Sequence, residues 1–186
     1  MRLLPAPKEV HRLKGKSVIK PTTTILISRS EDRTAAELLQ QEVRQRTGIR
    51  LAIATVSSAP KTSGHISLAR LSDHGLLNYL SSQGVKAGDE LGSQGYVLGS
   101  AESGIIVAAF NAQGLSCGVQ TLRQLLHGEG KSLQATALVL RDWPSMEWRG
   151  VHDDISRGPI PTLDYMKKQI RTLAEYKINL FGFWKP

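Results

Sequence analysis

Asp142-Trp143-Pro144-Ser145-Met146-Glu147-Trp148-Arg149-Gly150-Val151-His152-Asp153-Asp154-Ile155-Ser156-Arg157 sets two tryptophans, two arginines, four acids and a histidine within sixteen residues. No other stretch of the chain is so dense in groups that bind or transfer protons. Pro144 has no N–H and pushes Trp143 toward an extended conformation, so one folding unit is expected to end here. A strand is predicted from Trp148 to Asp154, followed by a loop carrying Gly158, Pro159 and Pro161. Thr162 then caps a helix with Leu163, Met166, Ile170 and Leu173 on one face, and Lys167, Lys168 and Arg171 elsewhere. Ile178 to Phe183 reads as a second strand. Strand, polar loop, helix, strand is how an α/β domain begins. The expectation for residues 143–186 is therefore the start of such a domain, broken off after one β-α-β unit.

Upstream, residues 1–142 read as a finished α+β unit. Thr22 to Ser28 is β-branched and predicts a strand. Ser30 is placed to cap the helix that follows, with Glu31 and Asp32 at its positive end. Ala35, Leu38, Leu39 and Val43 mark one face of that helix and Gly48 stops it. Leu51–Val56 and His65–Ala69 predict two more strands. Leu71 to Gly92 suggests a turn or short helix around Leu76, Leu77 and Leu80, then a polar loop. Gln94–Leu98 and Gly104–Phe110 form an expected hairpin, its second arm apolar throughout and so a central strand. Asn111 caps a second helix with Leu115, Val119, Leu122 and Leu126 as its stripe, ended by Gly128. Thr136 to Leu140 supplies a last strand, and Val18-Ile19 can pair on a sheet edge. The fold class expected is a mainly antiparallel sheet with two helices on one face.

The chain has 186 residues, 40% hydrophobic and 22% charged, enough to bury a core. No window reaches the roughly 18 apolar residues of a membrane span, so no membrane partner is expected. Met1-Arg2-Leu3-Leu4-Pro5 lacks the apolar run of a signal peptide; the expectation is a cytoplasmic protein, or a secreted or periplasmic one whose leader has been removed. The single Cys117 excludes a disulfide framework and a Cys-rich zinc site, and reads as a buried thiol. The net charge of +8 divides into 17 basic and 11 acidic residues over 1–142, and 7 and 5 over 143–186. These cations form no basic helix face with interleaved aromatics, so no nucleic-acid partner is expected. Gly-rich pieces at 92–95 and 128–131 lack the spacing of a phosphate loop, and no metal or cofactor motif is found.

Four pieces in order carry a resemblance: Asp142-Trp143-Pro144, then Trp148-Arg149-Gly150, then Asp154-Ile155-Ser156-Arg157, then Tyr176-Lys177-Ile178-Asn179-Leu180. With Leu4-Pro5-Ala6-Pro7, Gly95-Tyr96-Val97-Leu98 and the helix from Gly114 to Leu126, they resemble glycoside hydrolase family 20, the β-N-acetylhexosaminidases. The resemblance covers essentially the whole chain. It implies an accessory α+β domain at 1–142 and, at 143–186, the first strand-helix-strand of a truncated (β/α)₈ TIM barrel with its active site at the C-terminal strand ends. It implies removal of terminal β-linked N-acetylhexosamine by substrate-assisted retention, in which the sugar's acetamide oxygen attacks C1. An Asp orients the acetamide and the adjacent Glu is the general acid; that pair is absent from this chain, which is expected to be inactive alone and needs no cofactor. Gly158 stands where the family has a histidine.

By the same resemblance Arg149 binds the hydroxyls on C3 and C4 of the terminal sugar, a task that suits the fixed donors of a guanidinium. A structural ion pair with Asp153 or Asp154 is the alternative. Asp154 and Arg157 are expected to pair with one another and position the first loop. Asp153-Asp154 is not taken for the catalytic pair. His152 is expected to be a hydrogen-bonded core residue in place of a metal ligand. Trp143 and Trp148 are expected to pack between domains, and Trp184 suits either packing or a sugar. A rival reading is a non-catalytic carbohydrate- or protein-interaction module that oligomerises, with self-association through 146–186 by way of Phe181, Phe183 and Trp184.

Overall fold

A computed structural model of the chain describes residues 3–56, 64–72, 80, 85–129, 133–156 and 159–184. They belong to two compact units, Met1–Trp143 and Pro144–Pro186. The first is built from β1 (Glu9–Val18), β2 (Thr24–Ile27), α1 (Arg33–Thr47), β3 (Ala52–Thr55), β4 (His65–Arg70), β5 (Tyr96–Ala101), β6 (Gly104–Ala109), α2 (Ala112–Leu125), β7 (Leu126–His127) and β8 (Gln134–Asp142). One sheet holds them in the order β1-β8-β5-β6-β4-β2-β3, with β7 on β8. β1, β8, β5 and β6 are antiparallel neighbours; β6, β4, β2 and β3 are parallel ones.

The sheet is thus mixed, a correction to the mainly antiparallel one expected. Only the two-residue turn at 102–103 folds neighbours straight back on each other among the expected strands. From β2 the chain climbs α1 before returning as β3, and such a crossover leaves the two strands parallel. β1 is the other departure. It is a ten-residue edge strand where the sequence suggested only Val18-Ile19. Nearly every side chain on it is exposed, so it shows no apolar alternation, and a bulge at Gly15 (φ +100°) breaks its register between Arg12 and Lys16.

Alternate residues of each strand face two separate cores. On the helix side Ile25, Ile66, Leu98, Ile105 and Val107 meet Leu39 and Val43 of α1 and Leu115, Val119 and Leu122 of α2. On the other side Ala69, Val97, Ile106 and Ala108 are covered by Leu71, Leu80, Val85 and Leu91. The turn or helix expected around Leu76, Leu77 and Leu80 has its first two leucines outside the described residues, while Leu80 belongs to this second core. Gly48 (φ +75°) ends α1 as expected, donating to Arg44 O at 2.8 Å. Asn111 caps α2 by accepting from Gly114 N at 3.1 Å. Ser30 does not cap α1; it opens a 3₁₀ turn ahead of it, and neither element has a side-chain cap at its start. Asp32 instead accepts from the buried guanidinium of Arg70, whose NH2 also reaches Glu31 Oε1 at 2.6 Å. α2 closes at Leu125, so Leu126 leaves the helical stripe and is buried from β7. Cys117 is half-buried against the helix-side core.

Two features fix how α2 lies on the sheet. A Cβ added to Gly118 would meet Val107 Cγ1 and stand 2.9 Å from Tyr96 Cδ2, and one added to Gly114 would meet the Gly95 carbonyl. Beneath this close approach the Tyr96 hydroxyl donates to Asp142 Oδ2 at 2.8 Å. Its proton committed there, it accepts from the Thr121 hydroxyl at 2.6 Å. Burial first, and then the Asp142 charge, push the phenol well above its ordinary 10, so it remains a donor. The two helices are tied by Glu42, which accepts from Arg46 Nε at 2.6 Å and from Arg123 Nε and NH2 at 2.8 and 2.6 Å.

The second unit holds β9 (Gly150–Asp154), α3 (Leu163–Glu175) and β10 (Leu180–Trp184). β9 and β10 pair parallel, Gly150 opposite Leu180 through Asp154 opposite Trp184. Thr162 caps α3 as expected, accepting from Tyr165 N at 3.3 Å. Both strands start two residues later than the sequence suggested, because Arg149, Ile178 and Asn179 make side-chain and turn bonds instead. Among the described residues no helix is long and apolar enough to cross a membrane.

Gly118→Ala gains helix propensity yet forces a methyl group into Val107 and the Tyr96 ring. Overpacking wins, and urea unfolding should show a loss of about 1–3 kcal/mol; an unchanged midpoint would mean the helix does not need that clearance. Burial alone would raise the Glu42 pKa, but Arg123 and Arg46 together bring it below the ordinary 4.5. A carboxylate so depressed stabilises the fold above its unfolded pKa and loses that contribution as pH falls through the folded one. Glu42→Gln should therefore cost about 1–3 kcal/mol at pH 7, with the gap to the parent closing below pH 4.5 in a pH series of unfolding curves.

Candidate functional site

The densest set of directed polar contacts in the second unit gathers at the amino ends of β9 and β10. Arg149 precedes β9 and its guanidinium spreads over backbone carbonyls: Nε donates to Lys177 O at 2.9 Å, NH1 to Met146 O at 2.6 Å and to Glu147 O at 3.2 Å. Its main chain is held as well. Arg149 N donates to Asn179 Oδ1 at 2.8 Å, and Arg149 O accepts from Asn179 N and Leu180 N at 3.0 and 3.2 Å. Asn179 uses the other half of its amide on Glu147 O at 2.7 Å.

The chain reaches this knot through an unusual turn. α3 ends with Tyr176 N and Ile178 N both donating to Leu173 O, and Lys177 between them takes the left-handed conformation, φ +60°. A non-glycine residue there costs about 1 kcal/mol or more. The bond from Arg149 Nε to the Lys177 carbonyl helps offset it. The Arg-Gly and Tyr-Lys-Ile-Asn pieces, thirty residues apart, are therefore one object in space.

The carboxyl end of β9 is different. Asp153 and Asp154 are successive strand residues and point to opposite faces. Asp153 Oδ2 accepts from Gln169 of α3 at 3.3 Å, while Asp154 Oδ1 accepts from Ser156 N at 2.9 Å. The Ser156 hydroxyl, then its amide, hold the exposed Asp154 carboxyl below its ordinary 3.8. A group kept ionised in this way is unsuited to general acid work near neutrality. Arg157, the expected partner of Asp154, lies outside the described residues.

His152 is exposed, which corrects the core position expected for it. The strand's alternation suggested burial, but β9 has no layer packed over that face among the described residues of its own unit. Trp148 is 66% exposed and Trp184 56%. Trp143 belongs to the first unit, half-buried against the second core with the Arg141 guanidinium 5.5 Å from its ring centroid. Asp142, which opens the dense stretch, is the buried partner of Tyr96 and takes the Lys8 amide on Oδ1 at 3.3 Å. Lys177 and Asn179 are the site-forming residues to which the sequence reading gave no role. Their signal was an asparagine at the head of an otherwise apolar strand. No group of three or more His, Cys, Asp or Glu side chains able to hold a metal occurs among the described residues.

Residues 1–143 match the family model for glycosyl hydrolase family 20, domain 2. Over 188 residues the chain is 27% identical to a beta-hexosaminidase of Porphyromonas gingivalis, an alignment covering 97% of this chain and 22% of that protein. A shorter match, 37% over 100 residues, covers 53% of this chain and 19% of a beta-N-acetylhexosaminidase of Cellulomonas fimi. In three dimensions the chain is similar to the family 20 beta-N-acetylhexosaminidase of Streptomyces coelicolor, with a TM-score of 0.75, 30% identity, and coverage of 97% of this chain and 34% of that one. The chain thus spans about a fifth of these two curated relatives and about a third of the solved enzyme.

Loss of the knot is measurable without any substrate. Arg149→Ala removes three charge-assisted bonds to carbonyls, each worth roughly 1.5–3 kcal/mol. Amide hydrogen exchange at Asn179 and Leu180 should accelerate about tenfold or more, with Arg149→Lys intermediate because an ammonium has no planar fork. Unchanged exchange at both amides would show that the guanidinium does not hold the two strand ends.

Proposed function

This chain belongs to glycosyl hydrolase family 20, and on that footing we propose that it supplies two parts of a β-N-acetylhexosaminidase. Residues 1–142 are the accessory domain, and 143–186 are the first strand-helix-strand of the catalytic barrel. The observation that carries the reading is the parallel β9-α3-β10 unit, locked at its amino end by Arg149 and Asn179. A parallel strand-helix-strand is the repeating element of a (β/α)₈ barrel, and two of its strands cannot close one.

The substrate is a glycan ending in a β-linked N-acetylhexosamine. In the retaining scheme its acetamide oxygen attacks C1, an Asp orients that acetamide, and a neighbouring Glu protonates the leaving oxygen. Asp153 and Asp154 do not form this pair. They lie on opposite faces of one strand, and the second is held as a carboxylate. The groups that break the bond are then contributed by sequence other than these residues.

In such barrels the reacting sugar lies at the carboxyl ends of the strands. On β9 that is the end carrying Asp154 and Ser156. Arg149 stands at the opposite end with its guanidinium on three carbonyls. Binding of the C3 and C4 hydroxyls by Arg149 would require those bonds to break, so we assign Arg149 to clamping the strand ends.

Self-association is the second reading, favoured by the exposure of Leu180, Phe183 and Trp184 along β10. Sedimentation at several concentrations separates the two, since an oligomerising module gives one defined species with a fitted dissociation constant.

The 186-residue chain, its mass verified, should release no chromophore from a chromogenic N-acetylglucosaminide above the buffer rate. A full-length family member run beside it supplies the positive control. Turnover by the verified chain would overturn the assignment of catalysis to other sequence.

A further inference from the structure

A cleft of about 340 Å³ opens in the first unit at the amino ends of its parallel strands. Four pieces of chain wall it: the end of β1, the turn that follows, the start of β4 and the β5–β6 hairpin turn. They are pinned by backbone bonds, Thr23 N to Lys20 O at 2.9 Å, Ile19 N to Leu133 O at 2.9 Å and Gly64 N to Ser103 O at 2.8 Å. The walls are thus preformed. Lys16, Lys20, Thr22, Thr23, His65 and Glu102 supply its polar lining. Among the described residues neither ammonium nor the Glu102 carboxylate has a hydrogen-bond or ion-pair partner, while the buried Thr23 Oγ1 already accepts from Lys20 N at 3.0 Å and keeps its proton to donate.

We propose that this cleft binds an anionic saccharide, one whose carboxylate or sulfate meets Lys16 and Lys20 and whose hydroxyls meet Glu102 and the threonines. Two cations against one carboxylate leave the rim positive, and the approach is positive too. Arg12, Lys14, Lys16 and Lys20 fall within residues 10–20, which hold no acid, for a charge of +4. Such a field raises the encounter rate of anions. The volume lies within the range of small-molecule sites and far exceeds what one isolated oxyanion fills. That asks for a carrier of about one sugar ring. Among the described residues no Trp, Tyr or Phe lines the cleft, so a neutral sugar finds no broad aromatic face to stack on and the charge must supply most of the affinity. The anion follows from the lining alone; the saccharide carrier rests on the hydrolase reading.

The test is an amide-shift titration of the 186-residue chain at low salt with glucuronate, inorganic sulfate and neutral N-acetylglucosamine in parallel. Glucuronate should shift the amides of Lys16, Thr23 and Gly64 saturably and more tightly than sulfate, and N-acetylglucosamine should not. A Lys16→Gln, Lys20→Gln double variant, its remaining spectrum unchanged, should bind glucuronate about tenfold or more weakly. Sulfate binding as tightly as glucuronate would overturn the saccharide and leave a plain oxyanion site. No shift with either anion, or equal shifts with the neutral sugar, would overturn the proposal outright. Since none of these readouts is hydrolysis, its failure stays distinct from failure of the catalytic assignment.

Discussion

A phenol buried in the helix-side core constrains how the first unit packs. A hydroxyl taken out of water without a partner costs about 1–3 kcal/mol, so the Tyr96 oxygen must be met. Asp142 at the end of β8 and Thr121 on α2 meet it. That single oxygen therefore fixes two things at once, and its carboxylate partner a third. β5 and β8 are set in the register that puts Tyr96 opposite Asp142. α2 is held at the height where Thr121 reaches the ring, which only the glycines at 114 and 118 permit. The other carboxylate oxygen takes the Lys8 amide, bringing in the chain just ahead of β1. The carboxylate that opens the densest polar stretch of the sequence is thereby spent on architecture.

The second unit uses the same economy with a guanidinium. A parallel pair has no hairpin to define where its strands begin, so something else must align their amino ends. Arg149 and Asn179 do it by matching inventories. A guanidinium has donors enough for the carbonyls of Met146, Glu147 and Lys177, and a carboxamide both accepts from Arg149 N and donates to Glu147 O. Lysine or aspartate in their places would satisfy only part of that set. The Arg-Gly and Tyr-Lys-Ile-Asn pieces suggested a sugar-binding arginine followed by a strand. In space they are two halves of one hydrogen-bonded knot.

Much of the fold was legible because apolar periodicity reports burial. Leu39 and Val43, and Leu115, Val119 and Leu122, mark the helix faces that the core buries, and Gly48 and Asn111 punctuate the helices as their chemistry demands. β1 was not legible, since an edge strand exposed along its length shows no pattern to read. Parallel against antiparallel pairing was missed for a different reason. Strand order is a long-range property, and nothing local to Ile66 or Ile105 says that β4 and β6 lie side by side. Within the site, residue types located the place, while the contacts that each side chain makes depend on partners distant in sequence. Arg149 was visible as a candidate, but which end of the strand it would occupy depends on where β9 starts, a boundary set by the Asn179 contact thirty residues on. His152 was misplaced by the same logic that worked elsewhere, because alternation predicts burial only where a second layer exists to bury against.

Geometry also bears on what the carboxyl end of β9 can do. Acetamide-assisted cleavage needs an orienting acid and a proton donor converging on one sugar, in a setting that strengthens their fields by excluding water. Within β9 the two carboxylates do not converge, since successive residues of a regular strand point to opposite faces. β9 obeys that rule with Asp153 turned to Gln169 and Asp154 turned to Ser156. What one strand can supply is a fixed origin, and for that the bonds at its amino end matter more than any titrating group at the other. A strand whose start drifted by one residue would turn every side chain on it to the wrong face. The knot forbids the drift: its bonds converge on Arg149, and a shift of one position would place glycine or tryptophan where the guanidinium must be.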